Sequence, residues 1–159
     1  MISIKPPNKV PQVPTHLTIF LAGSIEMGKA KDWQAIIEKE LDGLDCIILN
    51  PRRGDWKPEW VQSIDHDEFT EQVIWEMDGI ESVGLVVFYF EPGTMSPVSL
   101  AELGLAAGLG KKTIVCCPEG YWRKGNVDII AVRHQMQRVE TFDYLVKEVK
   151  RYVRIVGAR

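Results

Sequence analysis

Short, almost wholly apolar runs alternate along the chain with segments in which apolar residues recur at helical spacing. The apolar runs predict four strands and a weaker fifth, at 17–23, 46–50, 83–90, 112–117 and 136–139. The segments of helical period predict four helices, at 30–43, 65–80, 96–108 and 141–155. Strands that alternate with helices indicate βαβ units, and strands that are apolar throughout indicate a parallel sheet buried on both faces. The most hydrophobic run, "VGLVVFYF", is expected at the centre of that sheet.

Length and N-terminal composition predict the domain organisation. A chain of 159 residues fits a single domain with a sizeable core, which we place at 17–159. Residues 1–16, "MISIKPPNKVPQVPTH", contain four prolines and are expected to form an extended arm. This segment has no apolar stretch after its first lysine, which is not the pattern of a signal peptide.

Charge and cysteine content argue against several classes of function. The net charge is −3 and the isoelectric point about 5.6, so there is no electrostatic case for binding a nucleic acid polymer or a membrane surface. No apolar run approaches the roughly 20 residues of a membrane span. The three cysteines form neither a metal knuckle nor a disulfide framework, which favours a reducing, cytoplasmic setting. The "DHD" stretch at 65–67 lacks the helical spacing of metal ligands, so we predict no metal site there.

Polar and aromatic residues collect in the segments that follow the predicted strands. In open α/β sheets, ligands bind beyond the carboxyl ends of the strands. The segments expected to meet there are 22–24, 50–56, 91–102 and 118–128. Within the second of them, Arg52 and Arg53 could clamp a phosphate and Trp56 could stack on a ring. A plain surface loop with a partly buried tryptophan remains the alternative for each of these residues.

One carboxylate, Glu102, interrupts the apolar helix "SPVSLAELGLAAG" at 96–108. Ser96 is the predicted N-cap of this helix, and Pro97 is its predicted first residue. The neighbours of Glu102 leave almost no polar face, and a buried carboxylate is costly unless it has partners or a task. The residues themselves leave two interpretations open: a solvated glutamate at the edge of the helix, or a functional carboxylate.

A second acidic residue, Asp78, ends the helix predicted at 65–80, where a negative charge is unfavourable. A turn residue before Gly79 is the plainer interpretation of Asp78 by itself. Glu71, Glu76 and Glu81 are expected on a solvated face of the helix.

Taken together, four segments resemble the nucleoside 2-deoxyribosyltransferase family. They occur in order and at compatible spacing, and they are "IFLAGSI", "WEMDGI", "SPVSLAELGLAAG" and "WRKGNVD". The resemblance covers about residues 17 to 130 and is closest to a branch with "NPRR" and "YWRKGNVD" signatures. It implies a flavodoxin-like, Rossmann-like α/β sandwich of three layers. The central sheet would be mostly parallel and five-stranded, and the protein a homo-oligomer.

The resemblance also implies roles for individual residues. Glu102 maps onto the family's nucleophile, and Asp78 onto the aspartate that contacts the nucleobase and handles its proton. Asn126 maps onto an asparagine that completes a neighbouring subunit's sugar site. The other residues expected to bind substrate are Phe20, Gly23, Ser24, Asn50, Arg52, Asp55, Trp56, Ser96, Ser99 and Asp128.

Two departures from the family pattern keep the activity open. Many relatives have tyrosine where this chain has Phe20. Ser96 stands where the lactobacillal-type enzymes carry a sugar-binding aspartate, and the related deoxynucleoside-monophosphate N-hydrolases also have serine there. The first hypothesis is exchange of the nucleobase of a 2′-deoxynucleoside for a free purine or pyrimidine base. It proceeds through a covalent deoxyribosyl-Glu102 intermediate and needs no metal or organic cofactor. The alternatives are a nucleoside 5′-monophosphate N-glycosidase and a non-catalytic nucleotide-binding module.

Overall fold

The computed structural model describes residues 1–11, 17–26, 30–57 and 59–158, which form six strands and five helices. In chain order the elements are β1 (Ile2–Ile4), β2 (Thr18–Gly23), α1 (Trp33–Glu40), β3 (Ile47–Leu49), α2 (Asp67–Ser82), β4 (Leu85–Tyr89), α3 (Pro97–Gly108), β5 (Thr113–Cys116), α4 (Lys124–Arg133), β6 (Gln137–Val139) and α5 (Phe142–Gly157).

The strands form one sheet in the order β1-β3-β2-β4-β5-β6, and every neighbouring pair is parallel. This confirms the predicted α/β class, and β4, the most hydrophobic run, lies inside the sheet between β2 and β5. Parallel strands end at the same edge, so the loops that follow β2, β3 and β4 meet there. That edge positions the candidate site.

The sheet has six strands rather than the predicted five, because the N-terminus contributes one. Ile2–Ile4 pairs with β3 at the sheet edge, with Ile2 opposite Ile47. Of the segment expected to be an extended arm, residues 2–4 form this strand and belong to the sheet, and residues 6–8 form a turn. A three-residue "ISI" before a pair of prolines is too short to show a strand pattern, so only the pairing partner reveals it. Residues 12–16 of the predicted arm lie outside the described residues.

Two separate cores fill the space on either side of the sheet. Side chains alternate along each strand, so Phe20 and Phe88 face one core while Ile19 and Val87 face the other. The first core is covered by α2, α3 and α4, and the second by α1 and α5. This is the three-layer arrangement that the alternation of strands and helices predicted.

One helix was missed by the sequence patterns. The segment 118–128 was predicted as a loop, but α4 begins within it at Lys124. Val127 and Ala131 are buried while Ile129 and Val132 are 69% and 62% exposed, so the apolar residues do not mark one face. In the part of the chain that the structure describes, no helix combines the length and apolar character that a membrane crossing requires.

Candidate active site

A cleft of about 530 Å³ opens at the carboxyl ends of the central strands. Its walls come from the loops after β2 and β3 and from the facing sides of α2 and α3. This is the edge at which the sequence predicted a ligand site. Of the predicted residues, those that line the cleft are Gly23, Arg52, Trp56, Ser96, Ser99 and Glu102.

Glu102 lies in the second turn of α3 and points into the cleft. Its side chain is half-buried, and among the described residues its carboxylate accepts no hydrogen bond. Burial, and after it the charge of Glu76, raises the pKa of Glu102 well above the usual value for a glutamate. The helix therefore carries a carboxyl group that is desolvated and has no partner to satisfy it.

The carboxyl group that faces Glu102 belongs to Glu76 of α2, not to Asp78. Glu76 lines the cleft, whereas Asp78 is exposed and lies outside it. Two positions along a helix are about 200° apart, so these side chains leave α2 on nearly opposite faces. The expectation that Glu76 belongs to a solvated face is therefore wrong. Burial raises the pKa of Glu76 to about 7, against the opposing effect of a hydrogen bond from Gln72.

A chain of polar contacts runs from Glu76 to the loop after β3. Gln72 Nε2 donates to Glu76 Oε1 at 2.7 Å and to the backbone carbonyl of Pro51 at 3.1 Å. Arg53 Nη1 donates to Gln72 Oε1 at 3.4 Å. Asp55 is exposed and outside the cleft, and its carboxylate accepts from Arg53 Nε at 2.6 Å and from Nη2 at 2.8 Å. Asp55 thus anchors an arginine of the cleft wall rather than binding a ligand there.

The loop after β2 approaches β4 so closely that only glycine fits at its start. A Cβ on Gly23 would lie 2.2 Å from the Tyr89 carbonyl oxygen, and its φ of +137° is unfavourable for other residues. The next residue, Ser24, is fully buried, and its hydroxyl lies 2.7 Å from both the Thr94 and the Ser96 hydroxyls. Ser24 therefore braces the loop after β4 instead of lining the cleft.

The N-terminus of α3 is capped by a residue that the sequence did not single out. The Ser96 and Met95 backbone N–H groups donate to Glu26 Oε1 at 2.6 and 2.9 Å. Ser96 adopts a left-handed conformation with φ of 45°, and its own side chain makes no capping hydrogen bond. Ser96 was predicted as the N-cap, but the capping oxygen comes from Glu26, whose side chain also lines the cleft.

Two predicted residues in the loop after β3 shape the loop. Asn50 is fully buried, donates from Nδ2 to Glu38 Oε1 at 2.8 Å and accepts from the Arg52 backbone N–H at 2.9 Å. Arg52 lines the cleft, but its guanidinium donates to the backbone carbonyls of Ala30 and Lys31 at 2.9 and 3.2 Å. Asn50 thus attaches the loop to the last turn of α1, and Arg52 attaches it to the segment that precedes α1.

Trp56 offers an aromatic wall and a hydrogen-bond donor to the cleft. Its ring packs edge-on against Trp60 at a centroid distance of 5.0 Å. Its indole Nε1 is buried and has no hydrogen-bond partner among the described residues. A ligand acceptor near this nitrogen would satisfy it. The stacking of Trp56 on a ring stays a prediction.

Phe20 is not a wall of the cleft. It is fully buried in β2, and its ring lies so close to Gly79 that a Cβ there would come within 2.6 Å of it. Its centroid is 6.0 Å from that of Trp75. The prediction that Phe20 binds substrate is not supported, because the residue packs α2 onto the sheet.

Asn126 and Asp128 lie on α4, outside the cleft of this chain. Asp128 pairs with Lys124 at 3.0 Å and with Arg138 at 3.2 Å, so it connects α4 to β6. Asn126 is exposed. Among the described residues, no group of three or more His, Cys, Asp or Glu side chains is arranged to hold a metal ion.

Comparisons with known proteins place the chain in a family. The family model described as nucleoside 2-deoxyribosyltransferase like matches residues 16–121. A conserved protein from Enterococcus faecalis V583 shares the fold with a TM-score of 0.57 and 14% identity, over 84% of this chain and 97% of that one. The CMP N-glycosidase BcmB from Clostridium botulinum does so with a TM-score of 0.52 and 18% identity, over 85% and 98%. No protein of curated function matches the sequence. With two thirds of its length matched by the family model, the chain belongs to the nucleoside 2-deoxyribosyltransferase-like family, whose members act on nucleosides or nucleotides.

Proposed function

We propose that the protein exchanges the nucleobase of 2′-deoxynucleosides for another purine or pyrimidine base by a retaining double displacement, with hydrolysis as a side reaction. The observation that carries this proposal is the pair of carboxyl groups in the cleft. Glu102 lacks a hydrogen-bond partner among the described residues, and the charge of Glu76 acts on it directly. A nucleophile and a proton donor side by side are what a retaining glycosyl transfer needs.

In the first half-reaction, a carboxylate oxygen of Glu102 attacks C1′ of the deoxyribose. The bond between C1′ and the base nitrogen breaks, and its electron pair leaves with the base. Glu76 donates a proton to the departing base, so the base leaves neutral and Glu76 becomes a carboxylate. The product is a deoxyribosyl ester of Glu102. The missing 2′-hydroxyl favours this step because it makes an oxocarbenium-like transition state easier to reach.

In the second half-reaction, a ring nitrogen of the incoming base attacks C1′ from the vacated side. The ester bond breaks, its electron pair returns to Glu102, and the proton of the incoming base passes to Glu76. Both carboxyl groups are restored, and two inversions give net retention. Water in place of the base would yield free deoxyribose, which is the side reaction.

The raised pKa values of both carboxyl groups agree with these proton transfers. Two carboxyl groups in one desolvated cleft titrate as a pair and retain a proton near neutral pH. When Glu102 attacks, that proton must reside on Glu76. A bound base beside Glu76 supplies the acceptor that draws it there.

The arginines of the cleft and the N–H groups at the start of α3 already have hydrogen-bond partners. This favours a nucleoside substrate with a free 5′-hydroxyl over a nucleotide. A phosphate would need Arg52, Arg53 or the N-terminus of α3. Arg53 is held in a bidentate pair by Asp55, Arg52 donates to backbone carbonyls, and the N–H groups of Met95 and Ser96 already donate to Glu26. The Glu26 carboxylate would also repel a phosphate at that end of α3.

The second candidate is a nucleoside 5′-monophosphate N-glycosidase on the same scaffold. It is favoured by Ser96, which lines the cleft where the lactobacillal-type transferases have an aspartate. In this alternative, water takes the place of the acceptor base, and Glu26 must leave the α3 N-terminus to admit the phosphate.

An exchange assay separates the candidates. The protein is incubated with a 2′-deoxynucleoside, or with its 5′-monophosphate, in the presence of a different free base, and products are resolved by chromatography. Base exchange on the nucleoside supports the transferase. Release of base from the monophosphate alone overturns it in favour of the glycosidase. Absence of turnover, with nucleoside binding unchanged in Glu102→Ala, would indicate a non-catalytic binding module.

We also propose that a second copy of the chain completes the site through Asn126. Its support is the exposure of Asn126 outside the cleft of its own chain, together with the exposed apolar side chains Ile129 and Val132 on the same helix. If this is correct, mixing Glu102→Ala with Asn126→Ala subunits restores activity that neither variant has alone. A monomer in sedimentation, or no complementation on mixing, contradicts it.

A further inference from the structure

Gln72 lies in the wall of the cleft, one helical turn of α2 before Glu76. It lies four residues before Glu76 on the same helical face, and it is 5% exposed. Its amide oxygen Oε1 accepts a hydrogen bond from Arg53, and its amide nitrogen Nε2 donates to Pro51 and Glu76. The function of this buried amide is not explained by the packing of α2.

The orientation of the amide is determined by its surroundings. A guanidinium has only donors, so the atom facing Arg53 must be the amide oxygen. A backbone carbonyl has only an acceptor, so the atom facing Pro51 must be the amide nitrogen. Rotating the amide by 180° would set two donors against each other on one side and acceptors against acceptors on the other. Glu76 Oε1 therefore always meets an N–H group.

The anchor of this arrangement is rigid. Asp55 holds Arg53 by two hydrogen bonds, and the guanidinium carbon lies 4.8 Å from the centroid of the Trp60 ring. Arg53 cannot turn away from Gln72 without losing both contacts. The other charged groups of the cleft are Glu102, Arg52 and Glu26, and of these Glu102 is the group whose pKa the charge of Glu76 raises.

We propose that Gln72 is a positioning residue that reserves Oε1 of Glu76 as an acceptor and so directs the acid proton of Glu76 to Oε2, facing the leaving base. An oxygen that receives a short N–H bond is a poor place for a proton, and Oε2 has no hydrogen-bond partner among the described residues. This inference rests on the acid role of Glu76 in the proposed function.

The test compares two donors in Gln72→Leu. One is a 2′-deoxynucleoside with a neutral base, which needs a proton to leave. The other carries a ring-methylated, cationic base, which leaves without one. We expect kcat to fall about 10- to 100-fold for the neutral donor and less than about threefold for the cationic donor, with KM little changed for both.

The pH dependence provides a second readout. Removing the N–H bond destabilises the Glu76 carboxylate, so the pKa of Glu76 rises and the alkaline limb of the rate profile moves to higher pH. Infrared titration of the protonated carboxyl band reports the same shift without turnover, with Glu76→Gln identifying the band.

Two further variants make the result specific. Gln137→Leu removes a similar 2.6 Å glutamine–glutamate hydrogen bond to Glu148 on the other side of the sheet, and it should leave both donors unaffected. Asp55→Asn, at an exposed position, loosens the anchor of Arg53, and so the orientation of the Gln72 amide, without removing the amide itself. It should show the same donor selectivity as Gln72→Leu, with kcat for the neutral donor lowered about threefold.

Equal losses for both donors, or an unshifted carboxyl titration in Gln72→Leu, overturn the inference while the proposed function stands. If Gln72→Leu fails to fold, absence of donor selectivity in Asp55→Asn overturns it. If the wild type turns over neither donor, the proposed function fails, and the infrared titration of Gln72→Leu alone then decides whether Gln72 controls the Glu76 proton.

Discussion

Each helix layer buries a glutamate, and the two glutamates have opposite surroundings. On the α1–α5 side, Glu148 is 8% exposed, accepts from Gln137 at 2.6 Å and lies 3.4 Å from an Arg151 nitrogen. On the α2–α4 side, Glu102 accepts no hydrogen bond among the described residues and lies beside a second carboxyl group, Glu76. A buried carboxylate with partners is compatible with a structural role, whereas one without partners reduces stability unless it performs a task.

The helices α5 and α3, one from each layer, also differ in where they place their charged and apolar residues. Helix α5 turns Leu145, Val149 and Val153 inward and, apart from Glu148, places most of its charged residues outside. Helix α3 has no charged residue except Glu102, which faces the cleft, and Val98, which is 61% exposed, lines the same cleft. The α5 side therefore encloses a closed core, while the α3 side presents a carboxyl group and an apolar side chain to the cleft.

The largest effect is expected at Glu102. Glu102→Ala should lower base exchange on the order of 10⁴-fold or more, because it removes the covalent route. Glu148→Ala, the matched change on the other side of the sheet, should leave kcat per folded molecule within about twofold, since Glu148 is remote from the cleft. Both rates are measured by chromatography of the exchanged bases. Full activity in Glu102→Ala would show that the nucleophile is assigned wrongly.

The next effect separates the two acidic positions of α2. Glu76→Gln should lower exchange roughly 10²- to 10³-fold, because the leaving base loses its proton donor. Asp78→Asn should cost far less, because Asp78 is exposed outside the cleft. The measurement is kcat for a neutral-base donor. The reverse order of effects would restore Asp78 as the acid and contradict the geometry.

A third change tests whether the closed side carries the stability. Leu145→Ala in α5 should cost about 2–4 kcal/mol of unfolding free energy, because a fully buried leucine leaves a cavity. Activity per folded molecule should remain, since no residue of α5 lines the cleft. Urea unfolding and exchange rates are measured on the same samples. A loss of kcat in folded Leu145→Ala would show that the two sides are coupled.

The smallest effect is a pH dependence of stability caused by the cleft. The pKa of Glu76 is raised from 4.5 to about 7 by burial, so its charged form is disfavoured in the folded state. Its contribution to stability is complete below pH 4.5 and is lost as pH rises through about 7. Glu76→Gln should therefore gain on the order of 1–2 kcal/mol relative to wild type between pH 5 and pH 8. A constant difference between the two proteins in urea unfolding at both pH values contradicts this.

Most of the fold followed from local patterns. The four strongly apolar runs correspond to β2, β3, β4 and β5, because runs of this composition are buried. The weaker run at 136–139 corresponds to β6. Strand β1 and helix α4 were missed. The first consists of three residues whose pairing with β3 cannot be read locally, and the second has apolar residues on more than one face.

In the site, the sequence by itself determined that Glu102 is a lone carboxylate in an apolar helix beyond the central strand. The rule for open α/β sheets then predicted the edge at which the cleft lies. Arg52, Trp56, Ser96 and Ser99 were placed in the correct walls for the same reason. Asn50, Ser24 and Asp55 were not, because their polar atoms are used in holding the loops together.

Tertiary structure alone decided which carboxyl group faces Glu102. "WEMDGI" offers both Glu76 and Asp78, and two residues of helix separate them by about 200°. Sequence shows the angle between the two side chains but not the rotation of α2 about its axis. That rotation is set by the packing of Trp75 and Gly79 of α2 on Phe20 of the sheet. This packing buries one face of α2 and turns Glu76 into the cleft. The same packing brings Gln72 and Arg53, which are 19 residues apart, into one hydrogen-bonded chain with it.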